Sequence, residues 1–417
     1  MGRDGIGNIE WIETGLKAAL FADACVLLSE LLSDPNLGID GEEKRPGEKR
    51  SGAHRRTILS LFGEVSLWRN YYYDPIRKRG RYPMDEALGL ENRYTPGAVR
   101  LICRAAARDS YQAASADLKA YAGLDVDARQ INRMARRMGP GMRGHLESET
   151  AAAETVPVPR MYVSCDGTGI PMRKAELKET AAKDAQGPAK TKEVKVGCVF
   201  TQHPKDGEEP FRDCDSTSYI ATMRRCHEFG PLLRKEAYRR GMGRAGEVVF
   251  IADGAVWIWE IVRTCFPGAR QILDYYHAHE YLCEIAALIF GSDSPPGKRR
   301  IARWKEMLFD DRVAGVVKAM RREAAKLSLS DENRKALEGK ISYIDNNKAR
   351  MLYGTYKAAG YFYGSGVVEA GCKSVIGKRA KQSGMFWSTQ GAEDVLVMRT
   401  ALSSNRFDAY WDQKHAA

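Results

Sequence analysis

The sequence predicts an open α/β core with an all-helical insertion, preceded by a mostly helical, helix-turn-helix-like region that carries a β-hairpin. Three observations lead there. Two short apolar runs, 161–165 and 248–252, are too short for helices and each leads into Asp-Gly, the pattern of a buried parallel-type strand. Residues 278–361 lack strand alternation and are rich in Ala, Leu, Lys, Arg and Glu, which predicts helices throughout. Between 96 and 138, three helix candidates (97–108, 110–122, 128–138) are broken near Asp109 and at Gly123.

In chain order, 9–32 is an apolar-periodic helix candidate, and 34–54 is a polar stretch rich in charge, Gly and Pro that reads as a linker; 1–50 is the expected N-terminal segment. Residues 56–73 hold two β-prone runs around Phe62-Gly63-Glu64, a hairpin signal within an expected DNA-binding region, 51–150. Nine Lys/Arg between 49 and 81 face only Glu64 and Asp74, interleaved with Trp68, Tyr71, Tyr72 and Tyr73. Such a stretch suits a phosphate backbone, with Arg55, Arg56 and Arg69 as candidate contacts; a solvated charged face is the plain alternative. In the third helix, Asp127 and Gln130 can form a capping box, and Ile131, Met134, Ala135 and Met138 repeat as one core face. The opposite face presents Arg129, Asn132, Arg133, Arg136 and Arg137, residue types that contact phosphates and purine edges in a major groove.

The core is expected over 157–277 and 362–417, with 278–361 inserted. Its strands are placed at 161–165, 194–200, near 216–220, 247–252 and 269–274, with a Lys/Ala-rich loop over 178–192. A helix over 256–266 carries Trp257 and Trp259 as core anchors. Asp166 and Asp253 then fall at strand ends, where open α/β sheets place ligands. Ser365 and Gly366 can start a helix whose first turn carries Glu369, where the helix dipole favours an anion. Asp-Gly turns and first-turn glutamates are ordinary taken singly. Together, two strand aspartates and one helix glutamate can hold two Mg²⁺ about 4 Å apart, as in-line phosphoryl displacement requires, with Mn²⁺ as a substitute. Lys373 lies one turn beyond Glu369, and Lys378, Arg379 and Lys381 follow as backbone contacts. The insertion is basic too: 298–350 holds fifteen Lys/Arg against eight Asp/Glu.

Composition agrees. The 65 Lys/Arg against 54 Asp/Glu give +11, and the pI near 9.1 suits an anionic partner. No apolar run approaches the ~20 residues that span a bilayer, and MGRDGIGNIEWIE lacks a signal-peptide layout, so a cytoplasmic setting away from membranes is expected. Nine scattered cysteines without a C-x-x-C pair speak against zinc or disulfide frameworks.

Three strings, CDGTGIPM (165–172), ADGAVWIWEIVRTCFPGARQILDYYHAHEYL (252–282) and VVEAGCKSVIGKRAKQSGMFWSTQGAEDVLVMRTALSSNRFDAYW (367–411), carry a resemblance to the DDE transposases of bacterial insertion sequences. The chain resembles specifically the ISKra-four family, and more distantly the Mutator-like branch, over most of 55–411. That resemblance implies a ribonuclease H-like fold with Asp166, Asp253 and Glu369 as catalytic triad and metal ligands. It matches Asp274 and His277 to a D-x-x-H element, which would bring His277 to the metal or the scissile phosphate. It further implies Mg²⁺-dependent hydrolysis at terminal inverted repeats, transfer of the 3′-OH into target DNA, and a homodimer or higher assembly on double-stranded DNA at the bacterial nucleoid. The cysteine-containing segment that relatives often carry after the hairpin is replaced here by YYYDPIRKRGRYPMDEALGL (71–90). A host-retained DNA-binding protein or nuclease without transposition would share these strings. A glycosidase would use paired carboxylates but gives no reason for the basic arms.

Overall fold

The computed structural model describes residues 9–34, 44–149, 157–177, 190–203 and 211–416. They fall into two compact units, 1–141 with 411–417, and 142–410. The division lies inside two helices rather than at 150–157.

In the first unit, helix α1 (Ile9–Ser33) precedes an antiparallel sheet of β1 (Lys49–Leu59), β2 (Glu64–Asp74) and β3 (Arg79–Arg81). Ile58, Val65, Leu67 and Met84 form its buried centre, with Cys25, Leu28 and Leu32 of α1 packed against them. β1 begins inside the expected linker. Its side chains there are exposed, but its main chain pairs with β2 from Lys49 opposite Tyr73, and Gly52, at φ +104, sits in a register shift between Arg50 and Ala53. The glycine that reads as a linker signal is a bulge residue.

Helices α2 (Pro83–Ala87), α3 (Pro96–Arg108), α4 (Tyr111–Ala122) and α5 (Ala128–Ser148) follow. Thr95 and Ser110 cap α3 and α4 through their side chains, and Gly123, at φ +68, ends α4. The Asp127 carboxylate accepts from the backbone N–H of Arg129 and Gln130 at 2.8 Å each, while the Gln130 side chain accepts from Asp127 N–H at 3.2 Å. α5 runs ten residues beyond its expected end, through Pro140, with Met142 fully buried.

The second unit is built on a mixed sheet of β4 (Arg160–Pro171), β5 (Thr191–His203), β6 (Phe211–Arg212), β7 (Ser218–Thr222), β8 (Glu247–Ala252) and β9 (Arg270–Leu273), ordered β6-β5-β4-β8-β9 with β7 also on β5. β5 is antiparallel to β4 and β7; β4, β8 and β9 are mutually parallel. Between strands lie α6 (Cys226–Arg239) and α7 (Val256–Cys265). Phe229, Leu233, Ile258, Ile261 and Val262 pack from these helices against Met161, Val163 and Phe250. Each such buried side chain contributes about 1.5–3 kcal/mol. Trp257 and Trp259 are only partly buried at the margin of this cluster; the deep positions of α7 belong to Ile258, Ile261 and Val262. Of the expected loop 178–192, residues 178–189 lie outside the described residues, and Thr191 and Lys192 already belong to β5.

After β9 come α8 (Tyr275–Phe290), α9 (Pro295–Phe309), α10 (Val313–Ala324), α11 (Asp331–Asn347) and α12 (Tyr353–Ala358). Then α13 (Gly366–Gly371) passes through a π-helical turn, Cys372–Gly377, into α14 (Lys378–Ala380), followed by α15 (Thr389–Ser403) and α16 (Phe407–Ala416).

Candidate metal and DNA site

Asp166 does not end its strand, as the sequence predicts, but lies in its middle. β4 keeps pairing with β5 as far as Pro171, and Gly167 and Gly169 serve that pairing: a Cβ at Gly169 would meet the Thr191 side chain at 2.9 Å, and one at Gly167 would meet Glu193. What ends near Asp166 is the parallel pairing with β8, whose last registered pair is Ser164 with Ile251. Continuing that register by two residues sets Asp166 beside Asp253. β8 and β9 pair as far as Ala252 with Leu273, so one further step sets Asp253 beside Asp274, and Asp274 N–H donates to Ala252 O at 2.8 Å. Three aspartates therefore share one level at the carboxyl ends of the parallel pairings, where an open sheet leaves its crevice.

Each is held differently. Asp166 accepts from Gly167 N–H at 2.6 Å and from the Cys372 thiol at 3.3 Å. Burial pushes its carboxyl above the usual carboxylate range, and Asp253 adds to that, while the Cys372 and Gly167 bonds and nearby His277 oppose it. The Cys372 thiol is pushed up by burial and by Asp166. Asp253 accepts from Ala255 N–H at 3.0 Å, and its carbonyl takes the hydroxyl of Tyr343 from α11. Gly254 allows this turn: its φ is +89, and any Cβ would run into the Tyr343 hydroxyl.

Asp274 is fully buried and caps α8, one oxygen accepting from Tyr276 N–H at 2.5 Å and His277 N–H at 3.2 Å, the other from Ser365 N–H at 2.5 Å. The Ser365 hydroxyl in turn donates to Glu369 at 3.2 Å. One carboxylate thus ties the start of α8 to the start of α13. Among the described residues, Asp274, His277 and Glu369 bring ligand atoms within 4.8 Å of one another. Asp274 has one lone pair left for a cation on the oxygen facing Ser365. His277 sits 3.2 Å from Glu280, and Lys373 lies 3.9 Å from Glu369 and is exposed. The donor set, carboxylate oxygens with one imidazole, fits a hard divalent cation.

The sequence singles out Asp166, Asp253, Glu369 and His277 but leaves Asp274 out of the metal set. Its signal is weaker than that of Asp166 and Asp253: the strand before it, Arg270–Leu273, is half polar, and no glycine follows. Ser365, Cys372 and Tyr343 carry no comparable signal, because their roles depend on contacts across 91, 206 and 90 positions.

The basic residues separate by exposure. Arg129, Arg133, Arg136 and Arg137 are exposed on α5 and Asn132 is half-buried; Arg137 is paired with Glu91 at 2.5 Å. Arg55 is exposed, and half-buried Arg56 pairs with Asp85 at 2.6 Å. Arg69 departs from the expected surface role: it is buried, ion-paired with Asp85, with its guanidinium 3.5 Å from the Tyr82 ring centroid. Arg379 departs too, fully buried and 5.0 Å from the Trp387 ring, because it falls on the inward side of α14. Lys378 and Lys381 are exposed, the latter donating to Thr168. No helix among the described residues is long and apolar enough to cross a membrane.

Residues 8–184 match a family described as Uncharacterised protein family (UPF0236), a stretch that includes Asp166 and stops before Asp253 and Glu369. A Streptococcus gallolyticus protein, described as "UPF0236 protein in vanSb 3'region", is 23% identical over 374 residues, spanning 85% of this chain and 74% of that protein. Among solved structures, the "Drosophila P element transposase strand transfer complex" matches 79% of this chain and 83% of its own at 8% identity and a TM-score of 0.22, a similarity too low to establish a shared fold.

Proposed function

We propose that this protein is a divalent-metal-dependent DDE transposase that hydrolyses a phosphodiester at the ends of a bacterial insertion sequence and transfers the 3′-OH into target DNA. The observation that carries the reading is the register that brings Asp166, Asp253 and Asp274 to the ends of the pairings among three parallel strands, with Glu369 and His277 meeting Asp274 within 4.8 Å. The element order, three strands with the two-residue β6 between the second and third, then helix, strand, helix, strand, supports a ribonuclease H-like core, and the motif strings support the ISKra-four assignment.

Asp166, Asp253 and Glu369 would hold two Mg²⁺ or Mn²⁺ ions, with the free lone pair of Asp274 and the His277 imidazole at the margin. Bound there, such ions supply Lewis-acid stabilisation of the attacking and leaving oxygens. The chain's own groups then position the substrate. Exposed Lys373, Lys378 and Lys381 offer charge to the backbone near Glu369, and the outward face of α5 offers Arg129, Arg133 and Arg136 to the end sequence. His277, whose ring is shared with Glu280, can orient a water or a leaving hydroxyl. Two copies would act on paired ends, in the cytoplasm at the nucleoid.

The test is cleavage and gel-shift affinity of Asp166→Asn, Asp253→Asn and Glu369→Gln on the DNA flanking the gene. Each is expected to lose strand cleavage by at least 100-fold while binding end DNA like the wild type, since the substitutions remove ligands and leave the basic faces in place. Substantial cleavage by any one variant removes that residue from the triad, and no cleavage by the wild type with Mg²⁺ or Mn²⁺ overturns the reading.

A further inference from the structure

Beside Glu369 a recess of about 610 Å³ opens between β5, the start of α8 and the segment leading into α13, a size that accepts a small organic ligand. Its walls are aromatic and its rim is cationic: Phe200, Tyr276, Tyr361 and Phe362, with Arg212 and Lys357. Gly366, Val367 and Ala370 supply one face, so the helix that carries Glu369 also lines the recess.

The walls are built rather than incidental. Phe362 packs on Tyr162, with ring centroids 5.1 Å apart, and Tyr162 stacks on Phe200 at 5.1 Å and 7°. The Tyr162 hydroxyl donates to Gln202 at 2.6 Å and accepts from Phe362 N–H at 3.1 Å, which fixes the loop to the sheet. Tyr361 is clamped by Arg160, 3.7 Å from its ring centroid, and donates its hydroxyl to Glu247 at 2.6 Å. Tyr276 is the exception. It follows buried Asp274 by two residues and precedes His277, yet it is 61% exposed, whereas its neighbour Tyr275 packs among Phe309, Tyr353 and Tyr363. Its ring lies over Gly364, where a Cβ would meet it at 2.8 Å. What sets Tyr276 apart is its place: an exposed ring lining the recess, in the first turn of the helix that Asp274 caps.

We propose that this recess receives one unstacked nucleotide of the substrate strand, its base stacked on Tyr276 and its phosphate drawn to Lys357 and Arg212. The proposal rests on the transposase reading for the origin of the strand. An aromatic platform suits any base, because every base has a π-face, and among the described lining residues two cations and no carboxylate favour an anionic backbone. His277 directly follows the lining residue Tyr276 in the chain and Glu369 directly precedes the lining residue Ala370, so a nucleotide seated here would be close to the Asp274, His277 and Glu369 cluster. A paired base could not enter; unpairing near the cut is therefore part of binding.

The test uses the full-length chain and DNA carrying an unpaired 2-aminopurine, read by fluorescence and by anisotropy in Ca²⁺, with cleavage followed separately in Mg²⁺. Wild type should quench the probe on binding. Tyr276→Ala should lose the quench and bind about ten-fold more weakly, the worth of one base stacked on a ring. Tyr276→Phe should restore both, and Lys357→Ala should lower the salt slope by about one unit. Tyr276 is exposed, so these variants keep their fold, checked by melting. If wild type cleaves DNA but the probe and the affinity ignore Tyr276, the recess is overturned and the transposase reading stands. If the probe responds through Tyr276 but no DNA is cut, the recess is supported and that reading falls. If no DNA binds, both fall.

Discussion

Asp166 lies two residues beyond Ser164 and Asp253 two beyond Ile251, the last registered pair of the neighbouring parallel strands β4 and β8. The sheet, not a turn, brings them together: β4 carries Asp166 in mid-strand, while β8 has already ended. Burial disfavours ionisation of Asp166, and the charge of Asp253 acts in the same direction. The fold accepts that cost where a cation can offset it.

A pH dependence follows. The folded-state pKa of Asp166 is raised above its unfolded value, so the protonated acid carries no penalty and the carboxylate does. Metal-free protein should lose stability as pH rises through the window between the ordinary carboxylate value, about 4, and the raised one. Asp166→Asn cannot ionise and should melt higher than wild type at neutral pH, with the gap closing in acid. Mg²⁺ should raise the melting temperature of wild type more than that of the variant. A melting difference constant across pH would sink the argument.

The turn after β8 gives a second prediction. Tyr343→Phe removes the hydroxyl that Asp253 O accepts, and should lower stability by about 1 kcal/mol. Gly254→Ala meets a positive φ and the Tyr343 hydroxyl together, and should cost about 1–3 kcal/mol and displace Asp253. Denaturant midpoints check both; a neutral Gly254→Ala would show that the turn relaxes freely.

These two cases show how far the chain can be read unaided. Asp253 was legible because VVFIA is an all-apolar run of strand length ending in Asp-Gly, and the positive φ of Gly254 is the reason that glycine is there. Asp166 was legible as a residue but not as a position. CDGTG reads as a turn, whereas the antiparallel partner β5 holds it extended, since flat glycines let Glu193 and Thr191 cross. β1 reads shorter in the sequence than it is in the fold: its pairing is main-chain, and its exposed side chains hide it from any burial pattern. On the basic segments, composition told nothing of direction. Arg69 and Arg379 look like their neighbours in sequence, and only packing turns them inward.

That difference is itself testable. Arg133→Ala and Arg136→Ala remove exposed groups from α5 and should weaken DNA binding at unchanged melting temperature. A base contact would cost about 1–3 kcal/mol in a sequence-dependent way, and a phosphate contact would weaken all DNA alike. Arg69→Ala leaves Asp85 with Arg56 alone, and Arg379→Ala opens a cavity under Trp387; both should lower the melting temperature instead. Gel shifts with melting curves separate the groups, and a stable Arg69→Ala that fails to bind DNA would restore its surface role.

Asp274 and His277 share one short segment but should fail in different ways. Asp274→Asn can keep the two bonds that cap α8, yet its amide NH₂ then faces the N–H of Ser365, donor against donor. The start of α13 loses its tie, so melting should fall and Glu369 should shift with it. The His277 side chain is 36% exposed, and the partner its Nδ1 meets at 3.2 Å is exposed Glu280, so His277→Ala should leave melting unchanged. If His277 touches the cation or the scissile phosphate, cleavage in Mg²⁺ should fall while assembly on DNA in Ca²⁺ persists. Mg²⁺ holds near-octahedral geometry at short distances and aligns its ligands; Ca²⁺ is larger and tolerates their loss. Cleavage at the wild-type rate with unchanged melting would strip His277 of the role, and a stable, active Asp274→Asn would show that Glu369 is placed without the Asp274 to Ser365 link.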